Sequence, residues 1–162
     1  MRPVSIGHNG RVQISAKVDY GVRALVTLAS SADPLTTDEI ARRQEMPTRF
    51  LGAIMTDLRR AGLVSAQRGV SGGYRLTRPA SEIKVAEVIR ALDGPLAGVR
   101  GERPEHVAYG DPAAALRTVW VAARAALREV LDHVSLAEVA SGELPDVVTA
   151  RTADPAAWDP PR

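Results

Sequence analysis

The sequence predicts a mainly α-helical protein with one small β-hairpin and a long C-terminal helix, on three observations. Between Thr36 and Gly62, two short amphipathic helices are punctuated by a capping box and a proline. Between Leu63 and Leu76, two short strands flank a basic, glycine-rich turn. From Leu116 onward, apolar residues recur at alternating steps of four and three.

The first helix carries Val18, Val22, Leu25 and Ala29 on one face, which closes a domain from beneath. The second starts at Thr36, whose hydroxyl can accept from the amide of Glu39 while that carboxylate reaches back to the amide of Thr36. It turns Ile40 and Ala41 inward and Arg42 and Arg43 outward. Gln44 to Met46 form the turn. Pro47 is suited to a first helical position, where an N–H would be unpaired in any case.

From Thr48 to Ala61, steps of about 100° per residue gather Leu51, Ile54, Met55 and Leu58 on one side. Thr48, Arg49, Gly52, Ala53, Thr56, Arg59 and Arg60 fall on the other, within an arc of about 140°. A merely solvated face favours Glu, Lys and Gln. Gly52 and Ala53 instead leave room for close approach, as a helix entering a major groove requires. Gly62 ends the helix as a left-handed cap.

The strands Leu63–Ala66 and Tyr74–Leu76 enclose Gln67 to Gly73, with Arg68 at the tip and Arg75 on the return. Gly69, Gly72 and Gly73 would suit a phosphate-cradling loop only if a helix followed, and a strand follows instead. Two helices, a turn and a basic hairpin in this order are a winged helix-turn-helix, a DNA-binding architecture. An arginine on the hairpin tip can enter a narrow minor groove, where the negative potential is strongest.

Composition agrees with that reading. The 162 residues have a net charge of +2, so the distribution of charge carries more than its sum. Residues 15 to 94 hold 12 Lys and Arg against 9 Asp and Glu, whereas residues 95 to 162 hold 7 against 10. Between Arg49 and Arg78, six arginines face one acid, Asp57. Such a patch favours phosphate contact and counterion release. No apolar run spans a bilayer and residues 1–12 lack a signal peptide's apolar stretch, so a cytoplasmic protein is expected, with no membrane partner. His8, His106 and His133 are scattered, which argues against a metal site, and no nucleophile, base and orienting group come together for catalysis.

The seam Leu116, Trp120, Ala123, Leu127, Val130 and Val134 has the spacing of a helix that packs on another helix. Packing on its own domain and pairing with a second copy are both open on spacing alone. Five segments result: an N-terminal extension over 1–12, a winged helix-turn-helix domain over 13–94, a linker loop over 95–112, a dimerisation helix over 113–140 and a mobile tail over 141–162.

Gln13 to Leu25, the helix-turn-helix, the hairpin Arg68-Gly-Val-Ser-Gly-Gly-Tyr-Arg-Leu76 and the helix Ile83 to Gly94 together resemble the Rrf2 family of bacterial winged-helix transcriptional regulators. A weaker likeness runs through Trp120 to Ala137. The resemblance implies a homodimer, formed through the C-terminal helix. Two departures stand out. Cluster-sensing members carry three cysteines in the interval that is Pro95 to Pro112 here, and this chain has none anywhere, so no cysteine-ligated iron–sulphur cofactor can form. Asp19, which falls where some members supply an acidic cluster ligand, is then expected in a salt bridge or on a helix surface. The position after Leu51, often Glu in the family, is Gly52, which implies a different operator.

The expectation is therefore a non-enzymatic, homodimeric repressor on a pseudo-palindromic double-stranded operator. Thr48, Arg49, Thr56 and Arg59 would meet the major groove or its phosphates, and Arg68 the minor groove. The alternative is a winged domain serving as a protein-interaction adaptor. An effector, small molecule or protein, is left open.

Overall fold

Ser15 accepts from the amide of Val18 and so opens α1 (Ala16–Ala29), the first element of a computed structural model that describes residues 14–159. The N-terminal extension over 1–12, Gln13 and His8 lie outside the described residues. Val18, Ala24, Leu25 and Leu28 of α1 are buried. α2 (Thr37–Gln44) begins at the expected reciprocal box between Thr36 and Glu39. The Thr36 amide and hydroxyl hold the Glu39 carboxyl below its usual range. α2 ends at Glu45, in the left-handed region at φ 53°, and the Arg23 guanidinium of α1 donates to the freed carbonyl of Gln44.

Pro47 serves as N-cap of α3 (Thr48–Arg60), one position earlier than expected and still with no amide to satisfy. Leu51, Ile54, Met55 and Leu58 bury the predicted stripe. Gly62, at φ 74°, follows the helix, and the chain enters β1 (Val64–Gln67), which pairs antiparallel with β2 (Gly73–Leu76), Val64 opposite Leu76 and Gln67 opposite Gly73. Leu35 extends this hairpin: its amide donates to the Tyr74 carbonyl at 3.0 Å and its carbonyl accepts from the Tyr74 amide at 2.8 Å. α4 (Val85–Asp93) packs against α1 and α3. One core joins all of these, with Leu25, Ile40, Leu51, Met55, Leu58, Val64, Ile83 and Val88 at its centre.

Three expectations change beyond residue 94. The linker over 95–112 contains a 3-10 turn, Pro104–His106, and buries Leu96, Pro104 and Val107. The helix expected over 113–140 is two helices, α5 (Leu116–Leu131) and α6 (Leu136–Ser141), because Ser135 caps α6 through the amide of Glu138 and breaks the run. Val134 is consequently no seam residue. It is 6% exposed, and its carbonyl accepts from the Val85 amide at 2.9 Å. The chain thus returns to its own domain, with Leu136 fully buried and α6 packed on α1. The tail over 141–162 carries a further helix, α7 (Asp146–Thr152), which contacts α5.

Candidate nucleic-acid interface

The outward face of α3 is built by the same periodicity that buries its stripe. Thr48, Arg49, Gly52, Ala53, Arg59 and Arg60 are exposed and Thr56 is half-buried, so one surface gathers all seven. A Cβ added at Gly52 would meet nothing within 4 Å, which leaves the middle of that face open. Thr56 donates its hydroxyl to the Gly52 carbonyl at 2.9 Å, so toward an outside group its oxygen is free to accept.

The arginines divide into two sets. Arg59, Arg68 and Arg75 make no side-chain hydrogen bond or ion pair among the described residues, and Arg49 stacks on the Phe50 ring at 4.5 Å from its centroid. Arg60 leans on Asp57 at 3.5 Å. Arg78 is withdrawn altogether: it donates to Glu87 at 2.5 Å and to the Glu82 carbonyl at 2.6 Å. Burial pushes the Glu87 carboxyl up, but Arg78 and the Lys84 amide outweigh it and hold the carboxyl below its usual range. The basic patch is accordingly smaller than six arginines, and its free members converge on α3 and the hairpin.

Phe50 escapes sequence reading. It lies at the edge of the apolar stripe, 48% exposed, and forms a platform that orients the neighbouring guanidinium. The available signal was an aromatic directly after an arginine in the first turn of a helix.

The hairpin tip holds Arg68 on a turn closed by the Gly72 amide donating to the Gly69 carbonyl at 2.9 Å. Gly72 is required by space rather than by positive φ, since its Cβ would meet the Gln67 carbonyl oxygen at 2.6 Å. Gly73 is required by both: its φ is 150°, and its Cβ would lie 2.6 Å from the Leu35 backbone.

In the C-terminal half, none of the 16 residues of α5 is buried. Leu116 and Trp120 are exposed, as is Ala123, and Leu127 and Val130 are half-buried. Val119 and Val121, outside the predicted seam, widen the exposed apolar surface. Asp19 is on the surface, 3.4 Å from Arg23. His133 contacts the Glu129 carbonyl at 2.8 Å through Nδ1, and His106 is exposed at the 3-10 turn. Among the described residues, no group of three or more His, Cys, Asp or Glu is placed to hold a metal ion, and no helix is long and apolar enough to cross a membrane.

Comparison with known proteins agrees with this architecture. Residues 14–142 match the family model described as Rrf2, iron-dependent transcriptional regulator. A candidate HTH-type transcriptional regulator of Mycobacterium tuberculosis is 46% identical over 145 residues, covering 88% of this chain and 89% of the relative. The HTH-type transcriptional regulator CymR of Bacillus subtilis is 33% identical over 80% of this chain and 91% of its own length. The solved structure of that global cysteine regulator superposes with a TM-score of 0.69, covering 80% of this chain and 97% of CymR. IscR of T. potens superposes with a TM-score of 0.67 at 30% identity, covering 91% of this chain and 96% of that one. An iron–sulphur cluster held by thiolates does not fit a chain without cysteine. The chain belongs to the Rrf2 family of helix-turn-helix transcriptional regulators.

Proposed function

We propose that the protein is a homodimeric repressor that covers a pseudo-palindromic promoter element until a signal loosens its hold. The observation that carries this reading is the exposed face of α3, where Arg49 and Arg59 have no acidic partner and Gly52 and Ala53 clear a path for the edge of a duplex. Thr48, Arg49, Thr56 and Arg59 contact the major groove or its phosphates. Arg60 and Arg75 add phosphate contacts, and Arg68 enters the minor groove. Dimerisation is supported by the apolar surface of α5, with Leu116, Trp120, Ala123, Leu127 and Val130 meeting a second copy. The signal is read without an iron–sulphur cluster, because no thiolate exists to hold one.

Sedimentation and footprinting on the gene's own promoter test the reading together. A dimer, a footprint with half-sites about one helical turn or a multiple of it apart, and an affinity that falls steeply with salt are expected. Arg49→Ala is expected to cost about 1–3 kcal/mol at one base pair if the residue reads guanine, or uniformly with a shallower salt slope if it binds phosphate. Arg68→Ala acts mainly on sites with A·T-rich flanks. If both variants bind DNA like wild type, the face serves protein contact instead and the adaptor reading replaces this one.

A further inference from the structure

Away from α3, a cleft of about 640 Å³ opens between the C-terminal end of α4, the linker and α5. Arg90, Arg103, Arg124 and Arg128 line it, with Leu96 and one carboxylate, Asp132. Two of these arginines share that carboxylate: Arg90 donates to Asp132 at 2.6 Å and Arg128 at 2.9 Å. Arg124 pairs with Glu105, which does not itself line the cleft, through two contacts of 2.6 and 2.9 Å. Arg103 has no hydrogen-bond or ion-pair partner for its guanidinium among the described residues. Four guanidinium groups therefore face two carboxylates, and two positive charges stay unmatched in a concave site.

We propose that this cleft is an effector site for a small organic dianion, one carrying two carboxylates or a phosphate ester; its effector role rests on the operator-binding reading above. Guanidinium forks match carboxylate and phosphate oxygens in pairs, and like charges converging on one cavity focus the field on an entering anion. The volume lies within the range of about 300–1,000 Å³ usual for small-molecule sites. Leu96 supplies an apolar wall for the carbon skeleton. A bound anion competes with Asp132 for Arg90, the contact that clamps α4 to α5, and for Arg128, which meets the same carboxylate within the end of α5. Because α4 packs on α3 and α5 bears the proposed dimer seam, releasing the clamp changes how the two α3 helices are presented.

Titration calorimetry of the full chain at constant ionic strength tests the site, with succinate and glycerol 3-phosphate as probes and uncharged succinamide as control. Saturable binding of either probe and none of succinamide is expected, and the stronger probe tells carboxylate from phosphate. Arg103→Gln removes a guanidinium with no structural partner, so thermal unfolding stays as in wild type while probe affinity falls about tenfold, the loss of one charge-assisted contact. No saturation by either probe at millimolar concentration, or unchanged binding in Arg103→Gln and Arg128→Gln, overturns the site. The same probe at saturation is expected to lower operator affinity at least about fivefold. Probe binding with unaltered operator affinity overturns the effector role. Absence of operator binding by the ligand-free protein sinks the DNA reading alone, since calorimetry needs no DNA.

Discussion

Lys17 of α1 and Asp57 of α3 form an ion pair of 2.9 Å, and the same ammonium donates to the Leu92 carbonyl of α4 at 2.9 Å. Asp57, the one acid between Arg49 and Arg78, thereby ties α3 to α1 and keeps only a longer contact of 3.5 Å to Arg60 on its own helix, leaving Arg49 and Arg59 without an acidic partner. The Lys17 contact also holds the Asp57 carboxyl below its usual range. Lys17→Met is expected to leave far-UV circular dichroism unchanged and to weaken operator binding, because α3 loses its tether while keeping every outward side chain. Equal affinity of the two proteins by fluorescence anisotropy would count against that tether.

Gly52 offers a substitution whose two effects have opposite signs. Nothing lies within 4 Å of its Cβ position, so Gly52→Ala gains helix propensity and raises stability by about 0.5–1 kcal/mol. A methyl group on the face that approaches DNA weakens binding. Urea midpoints and operator titrations on one preparation read both. A stabilised variant with undiminished affinity would place the duplex elsewhere.

The hairpin glycines are expected to differ in kind. Gly69→Ala meets no neighbour and bears only the strain of φ 109°, about 1–2 kcal/mol. Gly73→Ala adds a collision with the Leu35 backbone at 2.6 Å, so its loss of stability is larger, beyond about 2 kcal/mol, and it separates the hairpin from Leu35. Chemical denaturation of the two variants orders them.

Acid sensitivity follows from the carboxylates that join elements. Burial pushes Asp132 up, yet Arg128 and Arg90 hold it below its ordinary value of 3.8, and Glu87 lies below its ordinary 4.5. A depressed folded-state value means that the contribution to stability is complete above the ordinary value and is lost as pH falls through the folded one. Urea midpoints taken from about pH 7 down to about pH 3 should therefore fall steeply only at the acid end. Glu87→Gln should lower stability at neutral pH and flatten that fall. A variant with the wild-type acid slope would show that the Arg78–Glu87 pair does not drive it.

Legibility varied with the range of the interactions. The Thr36 and Glu39 box, the buried stripe of α3 and the strands around Arg68 are set by neighbours within four residues or by period, and the structure reproduces them to within a residue. The break at Ser135 was less visible, because its cap competes with an apolar spacing that continues through Val134. The diversion of Arg78 to Glu87 depends on how α4 docks, and composition counts that arginine as free.

The helix-turn-helix, the hairpin and the absence of any thiolate are legible along the chain, since capping, periodicity, glycine placement and residue type are local properties. Which arginines keep their charge available, the burial of Val134, and the convergence of Arg90, Arg103, Arg124 and Arg128 on one cleft came instead from how the elements pack. Those outcomes depend on groups from separate segments meeting in space, since an ion pair needs its partners within about 4 Å whatever their separation along the chain.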